Sequence, residues 1–199
     1  MINLTLHDML IRTNSRQPSF ELMLNHLHYR QNPLIIETGC ARSIHYSWDS
    51  GFAGDGNSTF IFDKFLSQKQ GQLFTVDKDP NSINHAQNYV GPNCTLICDD
   101  SIKFLWSLSK TLEDKQQYVD LLYLDSYDLD PNNYHPSAMH HLKELLAIIS
   151  RLKPGTMIAV DDNLGTVQAR QGKGAYVEEF MRNIDVPLVY DGYQLLWIL

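Results

Sequence analysis

Leu34-Ile35-Ile36-Glu37-Thr38-Gly39 is a short apolar run that stops at a carboxylate and then turns on a glycine. The same ending recurs down the chain. Leu73-Phe74-Thr75-Val76 stops at Asp77, Leu121-Leu122-Tyr123-Leu124 at Asp125, and Met157-Ile158-Ala159-Val160 at Asp161. Thr95-Leu96-Ile97-Cys98, followed by Asp99 and Asp100, is a looser fifth case. Short apolar runs separated by helix-like stretches read as strands buried on both faces, as in a parallel sheet. An open α/β sheet binds its ligand in the crevice outside the carboxyl ends of its strands, where these acids would gather. Acids there accept hydroxyl and amino hydrogens or hold a cation, so the pattern points to a nucleoside-containing cofactor, with a metal as a further option.

The intervening segments read as helices. Residues 18–30 carry Phe20, Leu22, Met23, Leu24 and Leu27, and a second helix runs from Ser58 to about Gln68. Asp79-Pro80 caps a third, to about Tyr89. Residues 101–113 present Ile102, Phe104, Leu105 and Leu108 as an apolar face, and 136–152 present Leu142, Leu145, Leu146 and Ile149. A stretch from Leu164 to Gly174 reads as flexible and precedes a last helix. Asp191-Gly192 between two apolar runs signals an antiparallel hairpin. The expected fold is α/β: a Rossmann-like, doubly wound, mostly parallel seven-stranded sheet with an antiparallel C-terminal hairpin and helices on both faces. Residues 1–199 are expected to form one domain, with 1–32 an N-terminal helical segment.

The 199 residues carry a formal net charge of −7, which argues against a phosphate-backbone partner. No apolar stretch approaches the ~20 residues of a membrane span. The N-terminus lacks the basic flank and apolar core of a leader, so a cytoplasmic protein is expected. Cys40, Cys94 and Cys98 are odd in number and lack paired metal spacing, so reduced thiols are expected. Cys94 and Cys98 fall on one face of a strand and read as small core hydrophobes.

Five βα units, a helix and a terminal hairpin resemble the class I S-adenosylmethionine-dependent methyltransferases over nearly the whole chain. Ile36-Glu37-Thr38-Gly39 is similar to that family's first motif and Phe74-Thr75-Val76-Asp77 to its second. Asp100-Ser101 with Phe104-Leu105 resembles the third, and Leu152-Lys153-Pro154-Gly155-Thr156 the turn before the fifth strand. The resemblance implies S-adenosylmethionine as cofactor, with Asp77 on the ribose and Asp100 and Ser101 by the adenine. Glu37, Gly39 and Ser58 would lie at the methionine end. Within the family, Leu124-Asp125 and the pair Asp161-Asp162 look like the metal-dependent small-molecule O-methyltransferases of catechol and macrocin type. That makes Asp125, Asp161 and Asp162 candidate ligands for Mg²⁺, and gives Asp125 a catalytic place through the cation. Two departures stand out. Asp128 occupies the place of the catechol enzymes' lysine, and the stretch between Gly39 and Gly56 is long for the family.

Each residue also has a plainer reading. Asp77 is suited to two vicinal hydroxyls, or simply to capping its turn. Asp100 competes with Asp99 for the adenine and is equally an N-cap. Asn57, Ser58 and Thr59 open a helix, as anion donors or as caps. The acidic trio can equally be loop acids, or acids facing the sulfonium without metal. His135 is the candidate general base, with His45 behind it; of His140 and His141, inside a helix, one should face solvent. Residues 40–55 and 126–135 are the loops expected to select substrate. Gly172-Lys173-Gly174 reads as a mobile flap.

The expected activity is methyl transfer to a hydroxyl of a small molecule such as a sugar or natural product. The partner is that substrate, with no nucleic acid and no membrane; a homodimer stays open. A nicotinamide-dependent oxidoreductase is the rival enzyme, but Gly39 is not followed by its glycine spacing. A non-catalytic cofactor-binding accessory protein is the other rival.

Overall fold

The computed structural model describes residues 4–42 and 57–199. Five strands follow the five apolar runs: β1 (Leu34–Thr38), β2 (Gln72–Asp77), β3 (Cys94–Cys98), β4 (Leu121–Leu124) and β5 (Met157–Val160). They pair in parallel in the order β3-β2-β1-β4-β5. A short antiparallel pair, β6 (Asn163–Leu164) and β7 (Gln171–Gly172), follows. The terminal hairpin of β8 (Leu188–Asp191) and β9 (Leu195–Ile198) completes a seven-stranded sheet, β9 lying antiparallel to β5. The chain starts in the middle of the sheet at β1, moves outward to β3, then crosses back to β4 on the other side of β1. That reversal opens a crevice at the carboxyl ends of β1 and β4.

Two apolar layers sandwich the sheet. Helices α1 (Leu6–Ile11), α2 (Gln17–His28), α3 (Ser58–Leu66) and α4 (Pro80–Gln87) cover one face through Met9, Phe20, Met23, Phe60, Phe62 and Ala86. Helices α5 (Ser101–Asp114), α6 (His135–Ile148) and α7 (Ala175–Asn183) cover the other through Leu105, Leu108, Leu145, Ile148, Val177 and Met181. The Tyr123 ring reaches from β4 into the first layer, stacking on Phe20 at 5.9 Å and meeting Phe62 edge-on at 5.3 Å. Helix starts are chemically marked. The Asp79 carboxylate accepts from Asn81 N ahead of Pro80, and Asp100 accepts from Lys103 N. Among the described residues, no helix is long and apolar enough to cross a membrane.

Three local expectations are corrected. On α6 Leu146 is exposed, as is Ile149 in the 3-10 turn Ile149–Arg151 that follows, and the inward face of α6 holds Ala138, His141, Glu144, Leu145 and Ile148. Periodicity counts apolar residues, so it misses a buried face that carries polar groups. Cys98 is exposed at the end of edge strand β3, although Cys94 above it is partly covered. The segment 164–174 is not a loose flap. Its ends pair as β6 and β7, and Lys173 is 1% exposed.

Candidate functional site

The crevice has a volume of ≈ 620 Å³, within the range of ligand pockets. Its wall takes one contribution from each parallel strand end: Gly39 from β1, Asp77 from β2, Asp100 and Ser101 from β3 and α5, Asp125 from β4, and Asp162 from β5. Ser58, the first residue of α3, also lines it.

Gly39 is held at φ +85°, and a Cβ there would meet the Asp125 carbonyl oxygen at 2.6 Å. Glycine is therefore required where the loop after β1 crosses the end of β4. Asp77 fixes the next residues. Its Oδ2 accepts from Cys40 N at 3.0 Å and its Oδ1 from Asp79 N at 2.8 Å. Each oxygen keeps a second lone pair, so turn fixing and ligand acceptance are compatible. Glu37 is fully buried beneath the crevice, where Oε2 accepts from Thr59 Oγ1 at 2.8 Å and Thr75 Oγ1 at 2.7 Å. Thr59 Oγ1 in turn accepts from Ala41 N, so Glu37 braces the glycine loop against α3. Asp100 lines the crevice and caps α5 at once, whereas Asp99 turns to Lys103 Nζ at 3.0 Å.

Asp125, Asp161 and Asp162 do converge, each offering an oxygen within 4.8 Å of the others. Two cations, unforeseen in the sequence, already sit on them. Lys173 Nζ lies 2.6 Å from Asp125 Oδ1 and 2.8 Å from Asp162 Oδ2. Arg16 grips both Asp161 oxygens, with Nε at 2.9 and 2.8 Å, and reaches Asp162 Oδ1 through Nη2 at 3.1 Å. Tyr193 donates its hydroxyl to the same Asp162 oxygen at 2.5 Å, and its ring lies 4.4 Å from the Arg16 guanidinium. Burial works to lower the Lys173 pKa, but Asp125, Asp162 and Asp161 outweigh it and hold the ammonium charged. For Asp162 burial opposes ionisation, yet Lys173 and the Tyr193 hydroxyl hold it below the usual carboxylate range. Burial pushes Asp125 up, against the pull of Lys173.

These residues do not fit a resident Mg²⁺. Three carboxylates against two cations leave at most one negative charge, and burial pushes Asp125 toward losing that one, so a dication finds little to balance it. An ion bound to Asp125 and Asp162 at ~2.0–2.1 Å would crowd the lysine nitrogen that already bridges those oxygens.

The histidines are placed differently from their sequence order. His135 opens α6 with Nδ1 at 2.6 Å from the Tyr176 hydroxyl, and it does not line the crevice. His140 does, with Nε2 at 3.1 Å from Ser101 Oγ and 3.3 Å from Glu144 Oε1. His141 is fully buried; its Nδ1 lies 2.7 Å from the Ser137 carbonyl oxygen, and burial lowers its pKa to about 4. Of the two, His140 is the more exposed, at the crevice wall, and His141 is the one turned into the core. Glu144 is the centre of this network, accepting from Thr38 Oγ1 at 3.1 Å and Ser126 Oγ at 2.6 Å. Burial opposes its charge, but His140, His141 and Ser101 together hold its pKa below the ordinary value. The spacing of His140 and Glu144, one helical turn apart, was a signal available in the sequence. Of the loops, 43–56 with His45 lie outside the described residues. At its start, exposed Arg42 pairs with Asp128 at 2.7 Å across the crevice mouth.

A methyltransferase domain family model matches residues 53–163. No curated protein matches the chain. Among solved structures, the chain is similar to the MycE methyltransferase of the mycinamycin biosynthetic pathway, solved with Mg and SAH (S-adenosylhomocysteine). The TM-score is 0.61 at 13% identity, over 95% of this chain and 54% of that one. The chain thus spans about half of that structure's length. The calicheamicin methyltransferase CalS11 is similar at TM-score 0.54 and 13% identity, covering 91% and 77% of the two chains. A Clostridium thermocellum protein assigned as an rRNA methylase gives 0.55 and 16%, covering 92% and 95%. Identities this low carry the fold and leave the substrate open.

Proposed function

The chain belongs to a methyltransferase domain family, and from that premise we propose that it uses S-adenosylmethionine to methylate a hydroxyl of a small molecule such as a sugar or natural product. The supporting observation is one crevice lined by Gly39, Asp77, Asp100, Ser101, Asp125 and Ser58, with the acids spread along its length. A rim of carboxylates suits a ligand that carries hydroxyls, an amino group and a cationic centre.

In this reading Asp77 accepts from the ribose hydroxyls with the lone pairs its turn leaves over. Asp100 and Ser101 meet the adenine edge. Gly39 and Ser58 present backbone and hydroxyl groups to the methionine end, and Glu37 holds that loop from below. When bound, S-adenosylmethionine supplies a methyl group activated by its positive sulfur. Transfer then needs the acceptor oxygen aligned behind that carbon and relieved of its proton. Asp125, at the end of β4, is the acid that faces the acceptor in this reading; His140 lies on the wall against Ser101, at the end given to the adenine, and is not assigned the proton. His135, tied to Tyr176 outside the wall, is left out of the reaction, and Mg²⁺ has no part in it. The net charge of −7 favours a small acceptor over a nucleic-acid backbone.

Calorimetric titration with S-adenosylhomocysteine tests the cofactor assignment. The wild-type chain should bind it, and Asp77→Ala should lose ~10-fold or more in affinity, the worth of a charge-assisted hydrogen bond. Equal affinity in the two proteins contradicts the ribose role. Release of S-adenosylhomocysteine with hydroxylated acceptors, and none with amine analogues, tests the oxygen acceptor.

A further inference from the structure

We propose that Lys173 stands in for a divalent cation at the acidic end of the crevice, so that this methyltransferase has no metal requirement. The inference rests on the cofactor crevice above but concerns a residue on its far side. Three carboxylates brought within 4.8 Å of one another repel strongly unless positive charge lies among them. A dication is one way to supply that charge. Here the chain supplies it twice.

The two cations divide the work. Arg16 is 1% exposed and consumes both oxygens of Asp161, which is itself fully buried. Asp161 is thereby withdrawn from any ligand in the crevice. Lys173 is also 1% exposed, and its Nζ bridges Asp125 Oδ1 and Asp162 Oδ2, the two acids that do line the crevice. The ammonium thus already holds one oxygen of each acid that a metal at this end would need. It lies behind them rather than in front, so it orients both carboxylates without occupying the space an acceptor needs.

The backbone explains how a lysine reaches this point. Gly172 has φ +103°, and a Cβ there would meet the Asp162 carbonyl oxygen at 2.3 Å. Lys173 N donates to that same carbonyl at 3.2 Å, and Gly174 N donates to Asn163 Oδ1 at 2.7 Å. The β6–β7 pair is thus pinned to the end of β5, and the lysine between the two glycines points inward. A lysine on a free loop would stay in water. Lys173 acts on the reaction through Asp125 and Asp162, and is a positioning residue.

Mn²⁺ serves as the probe, read by its electron paramagnetic resonance signal in the full-length chain, beside calorimetry with S-adenosylhomocysteine. The wild type should leave millimolar Mn²⁺ free, and its melting temperature should not move with Mg²⁺ or chelator. Lys173→Ala should bind Mn²⁺ at least ~10-fold more tightly than wild type, since the freed carboxylates then need a cation. Mg²⁺ should raise that variant's melting temperature. Lys173→Arg, which keeps the charge, should stay blind to Mn²⁺ and carries the comparison if the alanine variant does not fold. Tight Mn²⁺ binding by the wild type, abolished by Asp162→Asn, overturns the proposal. So does a Lys173→Ala protein that still binds S-adenosylhomocysteine but takes up no Mn²⁺. Loss of S-adenosylhomocysteine binding by the wild type would instead strike the cofactor assignment, so the two failures read differently.

Discussion

Gly39 is the residue where fold and site make the same demand. Its left-handed φ and the 2.6 Å approach to the Asp125 carbonyl both exclude a side chain. Gly39→Ala should cost ~1–3 kcal/mol from backbone strain alone, with further loss from the clash. Urea denaturation should show that cost together with weaker S-adenosylhomocysteine binding; a variant that is stable and binds normally would contradict it. His141 gives the protein an acid sensitivity. Its folded pKa of about 4 lies below the usual 6.5 because burial disfavours the charged ring. The unfolded chain therefore takes up the proton first as pH falls. The stabilisation is complete above about pH 6.5 and drains away toward pH 4, worth ~3 kcal/mol in all. Glu144, held below its ordinary value, adds a further loss at lower pH as it protonates. Denaturant midpoints across that window should fall steeply for the wild type and more gently for His141→Gln. Parallel slopes would remove His141 as the cause.

At the scale of elements, the N-terminal segment is fastened by Arg16, in the short 3-10 turn Asn14–Arg16 ahead of α2. Its guanidinium crosses to Asp161 at the end of β5, with neither group more than 1% exposed. Removing one partner of such a pair leaves a buried charge uncompensated, at ~3–5 kcal/mol. Arg16→Met should show that loss in urea melts, and Asp161→Asn added to it should recover a part. A double variant no better than the single one would mean that packing, not charge, holds the segment. A neutral chain of hydrogen bonds runs beside the pair: Ser19 Oγ donates to Gln194 Oε1 at 2.5 Å, and Gln194 Nε2 donates to the Tyr123 hydroxyl at 2.7 Å. Through this chain α2 is tied to Gln194, just ahead of β9, and to β4.

Over the whole molecule, what was legible in the sequence is what local pattern encodes. Each apolar run ending in an acid became a strand, because burial on both faces of a parallel sheet demands that run. Asp77, Asp100 and Asp125 came to one crevice because strand ends share an edge of the sheet. Gly39 joined them because a tight crossing excludes side chains. Arg16 and Lys173 were hidden for the opposite reason. Arg16 meets an acid 145 residues away, and Lys173 meets one 48 residues away. Neither separation leaves a period or a motif. Lys173 also sat between two glycines, which reads as looseness until the pairing of β6 with β7 is known. The inner face of α6 was misread because His141 and Glu144 face inward among the apolar side chains, against the apolar count.

The three thiols differ in a way that has practical use. Cys40 and Cys94 have pKa values pushed up by burial and by the nearby Glu37 carboxylate, so they stay protonated and slow to react. Cys98 stands exposed where β3 ends, two residues ahead of Asp100 at the crevice wall. A maleimide dye would therefore attach at one place, beside the entrance, and its fluorescence would follow occupancy of the cleft without any engineered cysteine.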